Sequence, residues 1–160
     1  MPGFKDILLL IGQLNYTWTN TESLLIHLIA GLAGVDKETA VIIFLTLNTT
    51  RARIDLVERL AKRASTPADC RKAILDLTER MNREARLGNK YSHCIYSFDE
   101  AGQAAETQLM RIFDNRDEIR YGKRELLDDE EASRIRTSIA QIADINRGIW
   151  GLVETYGYPT

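Results

Sequence analysis

The chain has 160 residues and a mass of 18.2 kDa, which is the size of one domain of about 150 residues. Its residues are 44% apolar and 28% charged, an ordinary globular composition that excludes a disordered or fibrous chain. The formal net charge of −2 excludes a uniformly basic nucleic-acid-binding protein.

The hydrophobic pattern predicts four long amphipathic helices. Within each, apolar residues recur at alternating steps of three and four, which places them on one helix face. The short early connections require neighbouring helices to run antiparallel. The sequence therefore predicts a single domain over residues 1–160, an all-α antiparallel four-helix bundle. The first three helices are expected at residues 4–33, 36–64 and 67–88. The fourth is expected to begin after an N-cap at Asp128 or Asp129 and to end at about residue 156.

A different pattern precedes the last helix. The helical period fails from residue 94 to residue 127. Residues 107–113 and 118–123 are typical of two short strands around a turn at 114–117, so we expect a small β-hairpin inserted before the last helix. The alternative is that residues 104–112 continue a helix.

Two polar residues, Asn15 and Glu22, fall on the apolar stripe of the first helix. An ionised carboxylate on a buried face is costly unless it is paired. We therefore expect Asn15 and Glu22 to be buried, and Glu22 to pair with a buried Arg51 or, as a second choice, with Arg86.

Charge is unevenly distributed along the chain. Residues 51–90 carry eleven basic and six acidic side chains, so this segment is locally positive within an acidic protein. One interpretation is a solvated helix surface with paired charges. The other is a patch that binds a phosphate backbone, because local clusters of Lys and Arg supply most nucleic-acid affinity.

The most specific pattern lies at the end of the third helix. Arg86, Asn89 and His93 are spaced i, i+3 and i+7, which places them along one helix face. An arginine and a histidine can together cleave RNA without a metal. The histidine exchanges a proton near neutral pH, and the permanently charged arginine stabilises the negative transition state.

With this motif the chain resembles the HEPN superfamily, whose members are helical bundles carrying an arginine followed, after four to six residues, by a histidine. Arg86 and His93 match that spacing at its long limit. Members often place a polar residue directly after the arginine, whereas here Leu87 and Gly88 separate Arg86 from Asn89. The resemblance implies a metal-independent endoribonuclease with Arg86 and His93 as catalytic residues. Substrate contacts are expected from three neighbours: Asn89, Lys90 and Tyr91.

Seven helical residues separate Arg86 from His93 by about 10 Å at ~1.5 Å per residue. Convergence on one phosphate therefore requires a helix break at Gly88 or a site shared across a dimer interface. We expect the site of Arg86 and His93 to lie at such a dimer seam. The wide apolar surfaces of the first helix (Leu8 to Ile11) and of the last helix favour a homodimer.

Other functions stay open at this point. The chain could be a non-catalytic HEPN-like bundle that binds RNA, a protein partner or a second copy, or an unrelated bundle with a regulatory partner. No metal site is predicted, because His27 and the cysteines Cys70 and Cys94 lack ligand spacing, and no cofactor motif is found. Free thiols and the lack of a visible signal peptide or apolar span favour a cytoplasmic protein away from membranes.

Overall fold

The computed structural model describes residues 3–160, without the side chains of residues 104 and 105. The chain is mostly helical and carries small antiparallel sheets before its last helix, which confirms the sequence prediction in this coarse form. The helices are α1 (Phe4–Ser23), α2 (Leu25–Ala33), α3 (Lys37–Thr46), α4 (Thr50–Ala61), α5 (Ala68–Ser92) and α6 (Asp129–Tyr156). The strands are β1 (Cys94–Phe98), β2 (Ala104–Leu109), β3 (Ile112–Asp114), β4 (Ile119–Tyr121) and β5 (Arg124–Leu126).

The finer prediction, a four-helix bundle with one hairpin, is not confirmed. The expected first helix is interrupted at Leu24, whose N–H bonds the carbonyl of Thr21 three residues back, a tighter turn than the α-helix allows. The expected second helix is interrupted at residues 47–49, where Leu47 is extended and Thr49 caps α4 by accepting the N–H of Ala52. Within residues 3–160, five strands replace the expected two, and β2 covers most of residues 104–112, so the alternative of a helix there is wrong.

The chain divides into two compact units. The strand unit comprises residues 1–16 and 86–140, and the helical unit comprises residues 17–85 and 141–160. In the strand unit, β1, β2 and β5 form one antiparallel sheet in the order β1-β2-β5, and β3 pairs with β4. In the helical unit, buried apolar side chains of α2, α3, α4, α5 and α6 form the core. The expectation of a single domain stays a prediction.

The buried face of α1 differs from the predicted face by one residue. Ile7, Leu10 and Leu14 are buried, whereas Leu8 is 54% exposed. Asn15 is therefore exposed, and the expectation that it is buried is wrong. Five consecutive apolar residues, Ile7 to Ile11, cover every helix face and leave the phase of the stripe undetermined by sequence.

Glu22 is buried as predicted, but its partner is Arg53 rather than Arg51 or Arg86. One Arg53 nitrogen lies 3.0 Å from Glu22 Oε1, and the Thr50 hydroxyl donates to the same oxygen at 2.9 Å. The Trp18 indole N–H donates to the other carboxylate oxygen at 3.1 Å. Arg51 is exposed. Because α4 starts anew at Thr50, positions 50 and 53 share a face and position 51 does not.

Arg53 also stabilises the end of α3. Its Nε donates to the carbonyls of Phe44 and Leu47 at 3.1 and 3.0 Å, and its guanidinium lies 3.9 Å from the centre of the Phe44 ring. These carbonyls are among those that a helix end leaves without an intrahelical partner. A single side chain thus joins the Glu22 carboxylate to the interruption between α3 and α4.

No helix within residues 3–160 is long and apolar enough to cross a bilayer.

Replacing Arg53 tests this arrangement. We expect Arg53→Gln to lower the free energy of unfolding by about 3 kcal/mol, because it leaves a buried carboxylate without its cation. The matched change Arg51→Gln, on the exposed face, should shift it by no more than about 0.5 kcal/mol. Denaturant unfolding of the two variants measures both values. Equal effects from the two substitutions would contradict the assignment of Arg53 as the partner.

Candidate functional site: a cationic cavity at the end of α5

A cavity of about 610 Å³ lies at the C-terminal end of α5 in the strand unit. Four of its lining residues lie at the C-terminal end of α5 or directly after it: Arg86, Asn89, Lys90 and His93. The other three are consecutive, the last residue of β2 and the two that follow it: Leu109, Met110 and Arg111. The cavity therefore brings together the two predicted catalytic residues within one chain.

The helix is not broken at Gly88, so the first of the two predicted arrangements and the predicted helix end at residue 88 are wrong. α5 continues through that position to Ser92, and an added Cβ at Gly88 would meet no atom within 4 Å. His93 lies one residue beyond the helix, where its N–H bonds the carbonyl of Lys90 at 3.3 Å. An unbroken α5 end thus presents Arg86 and Asn89 to the same cavity as His93.

The backbone of His93 is tied to the neighbouring sheet. β1 pairs with β2, with Cys94 opposite Leu109. One residue further along, the N–H of Met110 donates to the carbonyl of His93 at 2.9 Å. This bond places the residues after β2 directly beside the histidine.

A β-bulge at Met110 turns this segment towards the cavity. The N–H of Leu109 bonds the carbonyl of Lys123, whereas the carbonyl of Arg111 accepts the N–H of Gly122. The pairing has therefore shifted by one residue, with Met110 as the extra one. In a regular strand alternate side chains point to opposite faces. The bulge explains how three consecutive residues line one cavity.

Gly122 is required for this bulge. A Cβ at this position would lie 2.2 Å from the carbonyl oxygen of Leu109, a contact that no side chain tolerates. The close approach of the two backbones thus depends on a residue without a side chain.

The cavity carries uncompensated positive charge. Arg86 and Arg111 are both exposed, and within residues 3–160 neither forms a salt bridge. The Arg111 guanidinium lies 5.2 Å from the centre of the Phe113 ring, which orients it without neutralising it. Two guanidinium groups and an imidazole around one cavity suit a phosphate group.

Lys90 lies at the edge of the same cavity, but its charge is paired. Its ammonium group contacts the carboxylates of Glu125 and Glu131, the latter at 2.9 Å. Desolvation lowers the pKa of Lys90, and the hydrogen bonds to these two carboxylates outweigh it, so the pKa is raised overall. Lys90 therefore stays protonated and acts mainly as a link to the start of α6.

Tyr91 does not line the cavity, in contrast to its predicted role in substrate contact. It is 3% exposed, and its hydroxyl donates to Glu131. Burial is the main cause that raises the pKa of Tyr91, and the hydrogen bond to Glu131 raises it further. Glu131 in turn lies in the first turn of α6, where its N–H bonds the capping side chain of Asp128 at 2.9 Å. Tyr91 thus has a structural position behind the cavity.

The sequence predictions for the site have a mixed outcome. Arg86, Asn89, Lys90 and His93 line one cavity, and Tyr91 is buried beside it. Arg111 was missed, because no spacing along the chain relates it to His93. Its position follows from the bulge, for which the only sequence indication is a glycine between two short strands.

His27 has a separate role in the helical unit. Its Nδ1 lies 3.0 Å from the carbonyl of Pro159, and its ring lies 5.2 Å from that of Trp150. Cys70 and Cys94 are buried and unbridged. Within the part of the chain that the structure describes, no three His, Cys, Asp or Glu side chains group as metal ligands would.

Glu125 provides a pH-dependent test of the paired cluster. Hydrogen bonds from Lys90 and then Lys123 hold the pKa of its carboxyl below the ordinary value of 4.5. Its ionised form therefore stabilises the folded state above pH 4.5, and this contribution disappears as the pH falls through the lowered folded-state pKa. We expect Glu125→Gln to lower the melting temperature by a few degrees at pH 7. Ion pairs of this exposure contribute about 0–1 kcal/mol, and ~1 kcal/mol shifts the melting temperature by about 2–4 °C at this chain length.

Thermal unfolding of wild type and Glu125→Gln between pH 7 and pH 3 measures this effect. The difference between the two proteins should shrink below pH 4.5. Glu100→Gln, at an exposed position, serves as the control. A difference that is the same at pH 7 and pH 3 would argue against the cluster.

Comparison with known proteins adds no further evidence. Neither the family models nor the curated proteins nor the solved structures include one that matches this chain. The resemblance to HEPN proteins therefore stays a hypothesis based on residues 86–93.

Proposed function

We propose that this protein is a metal-independent endoribonuclease whose active site is the cavity at the end of α5. The observation that carries the proposal is that Arg86 and His93 line one cavity together with a second unpaired arginine, Arg111. A charged phosphodiester fits this arrangement, because the two guanidinium groups can bind its oxygens while the imidazole moves a proton.

The chemistry follows from these groups. The 2′-oxygen of a ribose attacks the adjacent phosphorus, the O2′–P bond forms and the P–O5′ bond breaks. His93 accepts the proton of the 2′-hydroxyl, and the departing 5′-oxygen takes a proton from a water molecule. The hydroxide left by that water takes the proton back from the His93 imidazolium, which restores the neutral base. Arg86 and Arg111 stabilise the additional negative charge on the phosphorus oxygens. The products are a 2′,3′-cyclic phosphate and a 5′-hydroxyl end. Asn89, which is exposed on the same helix face, is placed to orient the bound phosphate.

An assay of RNA cleavage in the presence of EDTA tests this function. We expect the wild type to cleave a single-stranded RNA, and His93→Ala and Arg86→Ala each to reduce the rate at least ~100-fold, since general acid–base catalysis and charge stabilisation each contribute about 10²-fold or more. Arg86 and His93 are both exposed in the native chain, so the two variants should keep the circular dichroism spectrum of the wild type.

Arg83→Ala is the matched control. Arg83 is exposed on α5 one turn before Arg86 and is paired with Glu79, so its removal should leave the rate unchanged. If the wild type cleaves no RNA, the enzymatic proposal fails. Retention of RNA binding in that case would favour the alternative of a non-catalytic binding module, in which Leu87 and Gly88 replace the usual polar neighbour of the arginine.

The proposal includes a homodimer. Phe4, Leu8 and Leu9 are 46%, 54% and 61% exposed on α1, and a surface of this kind is typical of a protein-protein contact. The cavity itself is lined by residues of one chain, so the dimer is proposed as an assembly and not as a requirement for joining Arg86 to His93.

Light scattering at micromolar concentration tests the assembly. We expect a mass of twice 18.2 kDa and, for Leu9→Glu, a mass of one chain with an unchanged circular dichroism spectrum. Leu45→Glu, at a similarly exposed position on α3, is the control and should leave the dimer intact. A single-chain mass for the wild type would refute the homodimer.

A further inference from the structure

A second cavity of about 320 Å³ adjoins the cationic cavity in the strand unit. Both cavities are lined by Leu109, Met110 and Arg111, the residues at the β-bulge. The remaining walls of the second cavity come from β1, β2, β3 and β4: Ile95, Gln108, Ile112 and Tyr121. The two cavities therefore adjoin at these three residues, with Arg111 bordering both, and we refer to the two together as the groove.

The walls of this second cavity are apolar yet open to solvent. Ile95, Met110 and Ile112 are 51%, 59% and 63% exposed. Tyr121 is 69% exposed and lies opposite Ile112 in the β3–β4 ladder, so their side chains lie on the same face. Side chains this apolar rarely cluster in solvent unless they bind something.

One amide group lies among these side chains. Gln108 is opposite Ile95 in the β1–β2 ladder, and its Nε2 donates to the carbonyl of Gly122 at 3.3 Å. That bond fixes the amide and leaves the second N–H and the oxygen of the same group for a ligand. The cavity therefore offers an aromatic ring, apolar walls and one oriented donor–acceptor group.

These features match an unpaired nucleobase. RNA-binding proteins take splayed-out bases against aromatic side chains and read their edges with amide groups. Arg111 at the junction supplies the positive charge that an adjoining phosphate requires. An apolar protein segment would make no use of the cation shared between the two cavities.

We propose that the groove binds a single-stranded RNA, with a phosphate in the cationic cavity and an adjacent unpaired base against Tyr121. This inference rests on the proposed function and adds to it a site for the base beside the bound phosphate. Duplex RNA is excluded from the groove, because a base inside a helix presents no free face for stacking.

Binding of a fluorescein-labelled 12-nucleotide single-stranded RNA, followed by anisotropy in the His93→Ala background, tests the inference. Tyr121→Ala and Tyr121→Leu should each weaken binding about 5- to 150-fold, the factor that corresponds to ~1–3 kcal/mol for stacking of one base. Tyr121→Phe, which keeps the ring, should bind as the background protein does. The leucine variant retains apolar bulk on the strand, so it separates loss of stacking from loss of folding.

Two controls sharpen the result. Tyr16→Ala removes a tyrosine that is 73% exposed elsewhere in the strand unit and should not affect binding. A blunt duplex of the same sequence should bind more weakly and show no dependence on Tyr121.

Each of the other possible outcomes contradicts either the base site alone or the base site together with the proposed function. If the background protein binds single-stranded RNA and all Tyr121 variants bind it equally, the base site is wrong while the proposed function stands. If Tyr121→Ala leaves RNA binding unchanged and halves the mass in solution, the groove is an interface between copies. If the protein neither binds nor cleaves RNA, the proposed function fails and the base site fails with it.

Discussion

The hydrogen bond from the Met110 N–H to the His93 carbonyl is the contact on which the arrangement of the site depends. It joins the end of α5 to the segment that follows β2. Arg86 of α5 and Arg111 of that segment therefore face the same cavity. The bulge at Met110 and the side-chain-free backbone at Gly122 make this contact possible. Without it, Arg86 and His93 would lie on a helix end with no opposing wall.

Charge near the cavity is divided between two layers. The outer layer, Arg86 and Arg111, is exposed and unpaired within residues 3–160, so it remains available to an anion. The inner layer joins Lys90 and Tyr91 to Glu131, which removes their hydrogen-bonding groups from any ligand. Lys90 thereby links the end of α5 to the start of α6. The positive charge that faces a ligand comes from the guanidinium groups of Arg86 and Arg111, and each guanidinium can donate two parallel hydrogen bonds to phosphate oxygens.

Local sequence pattern predicted those parts of the molecule that depend on local geometry. Arg86, Asn89 and His93 share a cavity because helical spacing holds up to Ser92. Predictions that required a phase or a register over longer distances were wrong. The run from Ile7 to Ile11 fits any helix face, so the prediction that Asn15 is buried was wrong. The interruption before Thr50 shifts the face of the following helix, so Arg53 and not Arg51 is the partner of Glu22. Arg111 depends on a one-residue shift in strand pairing, which leaves almost no trace in hydrophobic periodicity.

The placement of the tryptophans has a spectroscopic consequence. Both of them, Trp18 and Trp150, belong to the helical unit, while four of the six tyrosines belong to the strand unit. Emission excited at long wavelength therefore reports on the helical unit alone, and the indole of Trp18, bonded to Glu22, adds sensitivity to that carboxylate. Tyrosine absorbance is weighted towards the strand unit. The native chain thus carries two intrinsic optical probes, and coincidence of their transitions would show that the two units unfold cooperatively.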